Sequence, residues 1–255
     1  MNTLLIIDGL NLVRRLHAAM GTQPDMDALT IRVTSACQKL IRFHQPSHVT
    51  IVWDGDQESW RKQLYPDYKK GRKPMPEDLA KALPALKTQL EKEGIHSIDA
   101  ESEADDVIAT LASKIVNHQG KAIIVSTDKG FAQLLHPQIV QWDHFNQAFI
   151  DMEALERKLG VDRAQLLDFI ALSGDSGNKI PGIPGIGPKS ASELLKAFRT
   201  LKNVYNSLEM LGAKQAKKLD EGKEMARMSY KLGKLRTDMP LEVNLSQLRV
   251  SQPKA

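Results

Sequence analysis

Three short apolar runs, each ending within two residues of an aspartate, constrain the fold most strongly. The runs are Thr3–Ile7, His48–Trp53 and Lys121–Ser126, and the acids near their ends are Asp8, Asp54 and Asp128. Runs of this kind are typical of strands buried on both faces of a parallel sheet. Helical patterns lie between them at 27–43 and 77–93, and Pro84 within the second predicts a kink or a break. The alternation predicts a doubly wound α/β sheet.

The pattern changes near residue 160. From residue 161 onward the chain reads as helices separated by glycines, with no convincing strand before the C-terminal tail. We therefore predict an α/β domain at 1–160, a smaller all-helical domain at 161–250 and a tail at 251–255. A charged, aromatic and Gly/Pro-rich stretch at about 55–80 follows a strand end, where α/β domains usually carry functional insertions.

Composition excludes several classes of protein. The single cysteine, Cys37, rules out an intramolecular disulfide and fits a reducing compartment. No apolar run approaches the ~20 residues that span a bilayer, and the N-terminus does not read as a signal peptide. The sequence therefore predicts a cytoplasmic protein that does not enter a membrane. A net charge of +4 does not by itself indicate a polyanionic partner.

Acidic residues should meet at one edge of the predicted sheet, because the carboxyl ends of parallel strands lie together. A helix beginning near Ser102 adds Glu103, Asp105 and Asp106 in its first turn. Helix capping explains one or two of these acids. It does not explain the whole group, because crowded carboxylates disfavour one another's ionisation. With no His or Cys nearby, the group predicts a site for Mg²⁺ or Mn²⁺, which typically serve phosphoryl chemistry.

The stretch GIPGIGPKS at 182–190 resembles a phosphate-binding loop without matching the nucleotide-binding motifs. Pro188 separates Gly187 from Lys189, so the Walker pattern fails by one residue, and no strand precedes the loop. No nucleotide cofactor is therefore expected. Two helices joined by a glycine hairpin would instead leave N–H groups free to bind a backbone phosphate. The alternative is a plain turn between packed helices, which gives Lys189 and Ser190 no role.

Two stretches concentrate basic residues. The first, 61–73, interleaves Lys and Arg with Tyr65 and Tyr68, and the second contains Lys214, Lys217 and Lys218. Each is either a solvated helix face or a nucleic-acid-binding surface.

Together these motifs resemble the 5′-nuclease family of flap endonucleases and polymerase 5′-nuclease domains. The matching segments are IIDGLN, VWD, YKKGRKPMPEDL, ESEADDVIA, STDKGFAQLL and GDSGNKIPGIPGIGPKSA, in the family's order across residues 4–191. In length the chain is most similar to the stand-alone bacterial members. The resemblance implies a PIN-like parallel sheet flanked by helices, and a helix-hairpin-helix (helix-three-turn-helix) domain that grips duplex DNA.

The resemblance also implies roles for individual residues. An arch or clamp at about 55–80 would place Arg61, Lys69 and Arg72 at the scissile phosphate, with Tyr65 or Tyr68 stacking on an unpaired base. The implied Mg²⁺ ligands are Asp8, Asp54, Glu103, Asp105, Asp106, Asp128 and Asp175. The implied K⁺ ligands are the carbonyls of Leu172, Ser173, Pro181, Ile183 and Ile186. The implied DNA-binding residues are Gly185, Ile186, Gly187, Pro188, Lys189 and Ser190.

The chain departs from the family pattern at two positions. Gly130 and Asn178 stand where the family usually has acids of a second metal site. We therefore predict one well-formed Mg²⁺ site, in which Mn²⁺ can substitute, and a weak second one near Asp175.

Several functions remain open at this point. The favoured one is Mg²⁺-dependent hydrolysis of DNA at 5′ flap junctions. A branched-DNA-binding protein with little nuclease activity and a PIN-type ribonuclease are the alternatives. A phosphatase of the haloacid dehalogenase type would need an acid two residues after Asp8, where Leu10 stands.

Overall fold

The computed structural model describes residues 1–22 and 24–250, so the predicted tail at 251–255 lies outside the described residues. The described strands are β1 (Thr3–Asp8), β2 (His48–Trp53), β3 (His96–Asp99), β4 (Lys121–Val125), β5 (Ile139–Asp143) and β6 (Ala148–Phe149). They form one sheet in the order β3-β2-β1-β4-β5-β6. Strands β1 to β5 are parallel and β6 is antiparallel to β5. The predicted parallel sheet is confirmed.

The helices agree with the predicted pattern in most places. They are α1 (Gly9–Ala18), α2 (Met26–His44), α3 (Trp60–Leu64), α4 (Glu77–Lys92), α5 (Ala104–Asn117), α6 (Met152–Leu159), α7 (Leu166–Ser173), α8 (Pro188–Phe198), α9 (Leu201–Asn206), α10 (Ala213–Glu221) and α11 (Lys223–Gly233). Helix α4 continues through Pro84 without a break, because buried leucines on both sides of the proline hold it to the core. Among the described helices, none has the length and apolarity needed to cross a bilayer.

The three predicted strands form the centre of the sheet and are almost entirely buried. Every residue of β2 is buried, as are the last five residues of β1. Sequence reasoning missed β3, β5 and β6. Strand β3 lies at one end of the sheet with the sequence HSID and without a fully buried residue, so it lacks the apolar run that identified the others.

Contacts divide the chain into two compact units whose boundaries differ from the predicted ones. The first unit contains residues 1–57, 73–150 and 235–250 of the described chain, and the second contains 58–72 and 151–234. The stretch predicted as an arch at about 55–80 is thus divided, and its basic part, 58–72, packs with the helices after residue 150. Long-range packing of this kind leaves no local signal in the sequence.

Arg61 explains how the segment 58–72 is held in the second unit. Its side chain is buried, with 2% of its surface exposed. The guanidinium donates hydrogen bonds to the carbonyls of Leu232 at 2.9 Å and Lys234 at 2.8 Å, and it lies over the Trp60 ring. Arg61 is therefore a structural residue, which corrects its predicted place at a scissile phosphate.

Tyr68 is likewise a core residue of the second unit. It is 5% exposed and forms an apolar cluster with Ile180 and Leu232, against which Tyr65 packs. Stacking of Tyr68 on an unpaired base, which we expected as one option, would require the ring to leave this core. Of the two tyrosines, only Tyr65 keeps part of its surface exposed.

The C-terminal segment 235–250 belongs to the first unit. The Arg236 N–H donates to the Asp106 carboxylate at 2.9 Å, and the Val250 N–H donates to the Ser47 carbonyl at 3.0 Å. Leu248 is buried between these anchors along the chain. The sheet unit is thus completed by residues that we had predicted to belong to the helical domain.

Gly9 should be essential for the junction between β1 and α1. A β-carbon at this position would lie 2.5 Å from a ring carbon of Trp53, which is fully buried. Gly9→Ala is therefore expected to lower the free energy of unfolding by about 1–3 kcal/mol through overpacking. Urea denaturation measures this. Gly212→Ala is the control, because a β-carbon there would meet nothing within 4 Å. Equal midpoints for the two variants would contradict the prediction.

Arg61→Met should destabilise the second unit, because it removes both donors from the Leu232 and Lys234 carbonyls. We expect a loss of about 2 kcal/mol or more in the free energy of unfolding, measured by urea denaturation. Lys62→Met is the matched control, since Lys62 is exposed and lies beside Arg61 on the same helix. Similar losses in the two variants would mean that Arg61 does not hold this segment.

Candidate active site

Asp8 lies where β1 ends and α1 begins, and it is held rigidly. One carboxylate oxygen accepts the Asn11 N–H at 3.1 Å, and the other accepts the Ser126 hydroxyl at 2.8 Å. The Ser126 oxygen in turn accepts the N–H of Asp128 at 3.1 Å. Asp8 thus caps α1 and is linked to the loop after β4. Ser126 and Asn11 were missed by sequence reasoning, because nothing in their local sequence indicates these partners.

Asp54 brings the end of β2 to the start of α5. Its carboxylate accepts the Ala104 N–H at 2.7 Å, which places it at the N-terminus of the helix that carries Glu103 and Asp105. Glu103 occupies the N-cap position without making a side-chain cap bond. The start of α5 is therefore capped by an acid from the end of β2.

The electrostatics of Asp8 indicate that these acids are close together. Burial raises the pKa of the Asp8 carboxyl to about 8, and the charges of Asp105 and, more weakly, Asp54 act in the same direction. Hydrogen bonds from Ser126 and Asn11 oppose the shift. Carboxylates from β1, from the end of β2 and from α5 therefore repel one another at the carboxyl edge of the sheet. We call Asp8, Asp54, Glu103, Asp105 and Asp128 the acidic edge.

Asp106 anchors the C-terminal segment. It is 2% exposed, and its carboxylate accepts the Arg236 N–H at 2.9 Å. Its role as a metal ligand, which the family resemblance implies, stays a prediction. Asp128 is half-buried at the start of the turn after β4, where it accepts the Gly130 N–H at 2.7 Å. Gly130, which replaces a family acid, therefore contributes its backbone to the turn and adds no carboxylate.

The donor set of the acidic edge fits a hard divalent cation. It consists of carboxylates, whose mutual repulsion a cation would relieve. Within residues 1–22 and 24–250, however, no three His, Cys, Asp or Glu side chains are arranged as ready ligands of one ion. Three of the acids direct an oxygen to a backbone N–H, at Asn11, Ala104 and Gly130. The fit therefore rests on the chemistry and charge of the group.

Asp175, in the second unit, is tied to the residue that replaces another family acid. Its carboxylate accepts hydrogen bonds from the Asn178 amide at 2.8 Å and from the Gly177 N–H at 2.9 Å. Asn178 also binds the basic segment, because its side-chain oxygen accepts from Arg72 at 2.7 Å and its carbonyl accepts from the Lys69 N–H at 2.9 Å. Asn178 thus positions Lys69 and Arg72 beside Asp175.

A cavity of about 480 Å³ opens next to this group. Its walls include Tyr65, Lys70, Asp175 and Pro181. Lys69, which precedes the cavity residue Lys70, is half-buried, and its ammonium lies 5.2 Å from the centre of the Tyr68 ring. The basic segment, Asp175 and the start of the glycine hairpin therefore share one surface of the second unit.

The glycine hairpin joins α7 to α8 as the sequence predicts. Gly182 and Gly185 have positive φ angles of 64° and 78°, which favour glycine. A β-carbon on Gly182 would lie 2.3 Å from the Gly174 nitrogen, so the two ends of the hairpin touch through their backbones. Gly187 forms the N-cap of α8, with no side-chain cap bond, and Pro188 is its first residue.

The predicted DNA-binding residues of the hairpin are mostly accessible. Gly185, Gly187, Pro188 and Lys189 are exposed and Ser190 is half-buried. Ile186 is 4% exposed, so its side chain belongs to the core and only its backbone can face a ligand. The predicted contact of Ile186 with DNA is therefore a prediction about its backbone.

Two of the five carbonyls predicted to bind K⁺ already accept hydrogen bonds within the hairpin. The Leu172 carbonyl accepts the Ile183 N–H at 2.8 Å, and the Ile183 carbonyl accepts the Ile186 N–H at 3.0 Å. Each keeps a second lone pair. The hairpin therefore remains compatible with a cation without being arranged around one.

Comparison with known proteins agrees with these features. The profile described as the N-terminal resolvase-like domain of 5′-3′ exonucleases matches residues 3–160, and that of their C-terminal SAM fold matches residues 161–255. A protein named flap endonuclease Xni from Shewanella woodyi is 70% identical over 252 residues, which are 99% of this chain and all of that protein. One of the same name from Shewanella sediminis is 65% identical over 255 residues, the full length of both.

Solved structures share the fold at lower identity. A zinc-bound T5 5′-exonuclease superposes with a TM-score of 0.76 at 23% identity, over 92% of this chain and 90% of the other. The catalytic core of Rad2 in complex with a DNA substrate gives a TM-score of 0.55 at 20% identity, over 96% and 84%. These likenesses confirm the predicted fold class, a resolvase- or PIN-like sheet with a helical SAM-like domain. The two profile matches and the close relatives place the chain in the 5′-3′ exonuclease family, so it is a nuclease.

Proposed function

We propose that this nuclease is a structure-specific flap endonuclease, which hydrolyses phosphodiester bonds at 5′ flap junctions of DNA with Mg²⁺. The observation that carries the proposal is the acidic edge, where burial and neighbouring carboxylates raise the pKa of Asp8 to about 8. The names of relatives at 70% and 65% identity support the flap substrate. Solved structures of the T5 5′-exonuclease with zinc and of the T5 D15 protein with metal ions support a divalent cation.

The acidic edge would hold the cation through Asp8, Asp54, Glu103, Asp105 and Asp128. When bound, a divalent cation activates water and offsets charge on the attacked phosphate. Ser126 and Asn11 fix the direction of the Asp8 carboxylate, and Ala104 fixes that of Asp54. Mn²⁺ can replace Mg²⁺, because both prefer oxygen ligands.

Lys69 and Arg72 would stabilise negative charge on the transferring phosphate. Asn178 holds both of them in place, although it supplies no carboxylate for a second cation. Asp175 would then bind a second ion weakly, because its oxygens already accept bonds from Asn178 and Gly177. Tyr65 keeps the predicted role of stacking on an unpaired base.

The glycine hairpin would bind the phosphate backbone of duplex DNA. The N–H groups at the start of α8 and the Lys189 side chain face outward, and neither reads base edges. The carbonyls of Leu172, Ser173, Pro181, Ile183 and Ile186 would hold K⁺, whose positive charge would favour a backbone phosphate at the hairpin. A cytoplasmic location belongs to the same proposal, because DNA is the substrate.

A second candidate function is branched-DNA binding with little catalysis. Gly130 and Asn178 favour it, because both remove acids that the family pattern contains at a second metal site. Both functions require salt-dependent affinity for branched DNA, so binding alone does not separate them.

Cleavage of a 5′-labelled flap substrate tests the proposal. With Mg²⁺ or Mn²⁺ we expect cutting at the junction, and with EDTA we expect none. Asp105→Asn should lower the rate about 100-fold or more, since it removes a charged ligand without changing the side-chain size. Asp56→Asn is the control, because Asp56 is an exposed acid outside the acidic edge. Tight flap binding without product in either metal would favour the second function.

Lys69 and Lys189 should differ in what they contribute. Lys69→Met is expected to lower the cleavage rate about 100-fold while changing duplex affinity less than about threefold, because it acts on the transferring phosphate. Lys189→Met is expected to weaken binding and to reduce the salt dependence by the equivalent of about one phosphate contact. Single-turnover rates and fluorescence anisotropy at several salt concentrations measure the two effects. Equal losses of affinity in both variants would contradict this division.

A further inference from the structure

Lys218 contacts the glycine hairpin from a different helix. It lies on α10, and its ammonium donates a hydrogen bond to the Gly185 carbonyl at 3.1 Å. Its side chain runs along Gly185, because a β-carbon there would lie 2.7 Å from the Lys218 Nζ and 3.1 Å from its Cε. Gly185 therefore leaves space for this lysine in addition to adopting a positive φ.

The position of α10 against the hairpin is fixed by packing. Leu219 is fully buried, and Gly222 follows the end of the helix so closely that a β-carbon on it would lie 2.5 Å from a methyl carbon of Ile183. Lys218 directly precedes Leu219 and is half-buried. The ammonium is thus held at the hairpin by its own helix and does not depend on a flexible loop.

The charge of Lys218 is not balanced by an acid. In the described part of the chain Lys218 forms no ion pair, whereas its neighbour Lys217 pairs with Glu221 at 3.8 Å. An ammonium has three donors, and the Gly185 carbonyl takes one of them. Two donors and a full positive charge therefore remain beside the hairpin residues 185–190.

We propose that Lys218 binds a DNA backbone phosphate together with the glycine hairpin. The inference rests on the proposed function, and it adds a side chain from α10 to a surface otherwise built from 185–190. Among Lys214, Lys217 and Lys218, we choose Lys218 because it donates a hydrogen bond to the Gly185 carbonyl. A phosphate bound at the hairpin would thus be contacted by lysines from two helices, α8 and α10.

The test is the salt dependence of binding to a 5′ flap substrate in EDTA, measured by fluorescence anisotropy between about 50 and 200 mM salt. Lys218→Met should weaken binding about tenfold and reduce the slope of log Kd against log salt by about one. Lys218→Arg should keep the wild-type slope. Lys217→Met carries the same chemical change on the same helix, and we expect less than about a twofold effect, as for a surface lysine already paired.

Lys218→Gln separates charge from packing. It retains a donor for the Gly185 carbonyl but loses the charge, so we expect the same loss of slope as in Lys218→Met. Thermal unfolding of each variant identifies any that fails to fold. Weaker binding with an unchanged salt slope would show that Lys218 acts through packing and not through its charge. Equal effects of Lys217→Met and Lys218→Met would show that any lysine on this helix contributes alike. Either result would overturn the inference. Failure of the wild-type protein to bind the flap would instead refute the proposed function.

Discussion

Repulsion among carboxylates at the carboxyl edge of the sheet is the constraint on which the rest of this structure depends. A parallel sheet brings the ends of β1, β2 and β4 to one line, so an acid after each strand is necessarily close to the others. The fold tolerates this by binding individual oxygens to N–H and hydroxyl donors and by raising the pKa of Asp8. Such an arrangement stores unfavourable charge that an oxygen-seeking cation relieves.

In the second unit, the structure instead places backbone groups and lysines where a polyanion could contact them. Its hairpin needs glycine at 182 and 185, where the chain turns and two backbones touch. The replacement of a family acid by Asn178 has a visible structural result there. An amide can donate to Asp175 and accept from Arg72 at the same time, which an aspartate cannot do. Where the family pattern has a carboxylate, this chain thus has an amide that links the basic segment to Asp175.

The sequence predicted those features that depend on local pattern. Continuous apolar runs identified three central strands with their terminal acids, and the glycine spacing identified the hairpin. Prediction from the sequence failed for side chains whose neighbours come from distant segments of the chain. Arg61 and Tyr68 read as members of a basic, aromatic DNA-binding stretch, and only the carbonyls of Leu232 and Lys234 and the packing of Ile180 make them core residues. The bond from the Arg236 N–H to Asp106 was not predicted, because the two residues lie 130 positions apart. Strand β3 was missed because it is short and polar.

Each of the two units is built from separate segments of the chain, which affects the order in which its parts are synthesised. The sheet is complete in sequence by residue 150, yet its unit also needs 235–250, the last described segment to leave the ribosome. The Asp106 carboxylate can accept the Arg236 N–H only after 130 further residues have been synthesised, and contacts between such distant residues slow folding. The boundary at 160, although it matches the family profiles, would cut a fragment lacking the segment that covers Asp106. The sheet unit is therefore assembled from segments that lie on both sides of the second unit's helices along the chain.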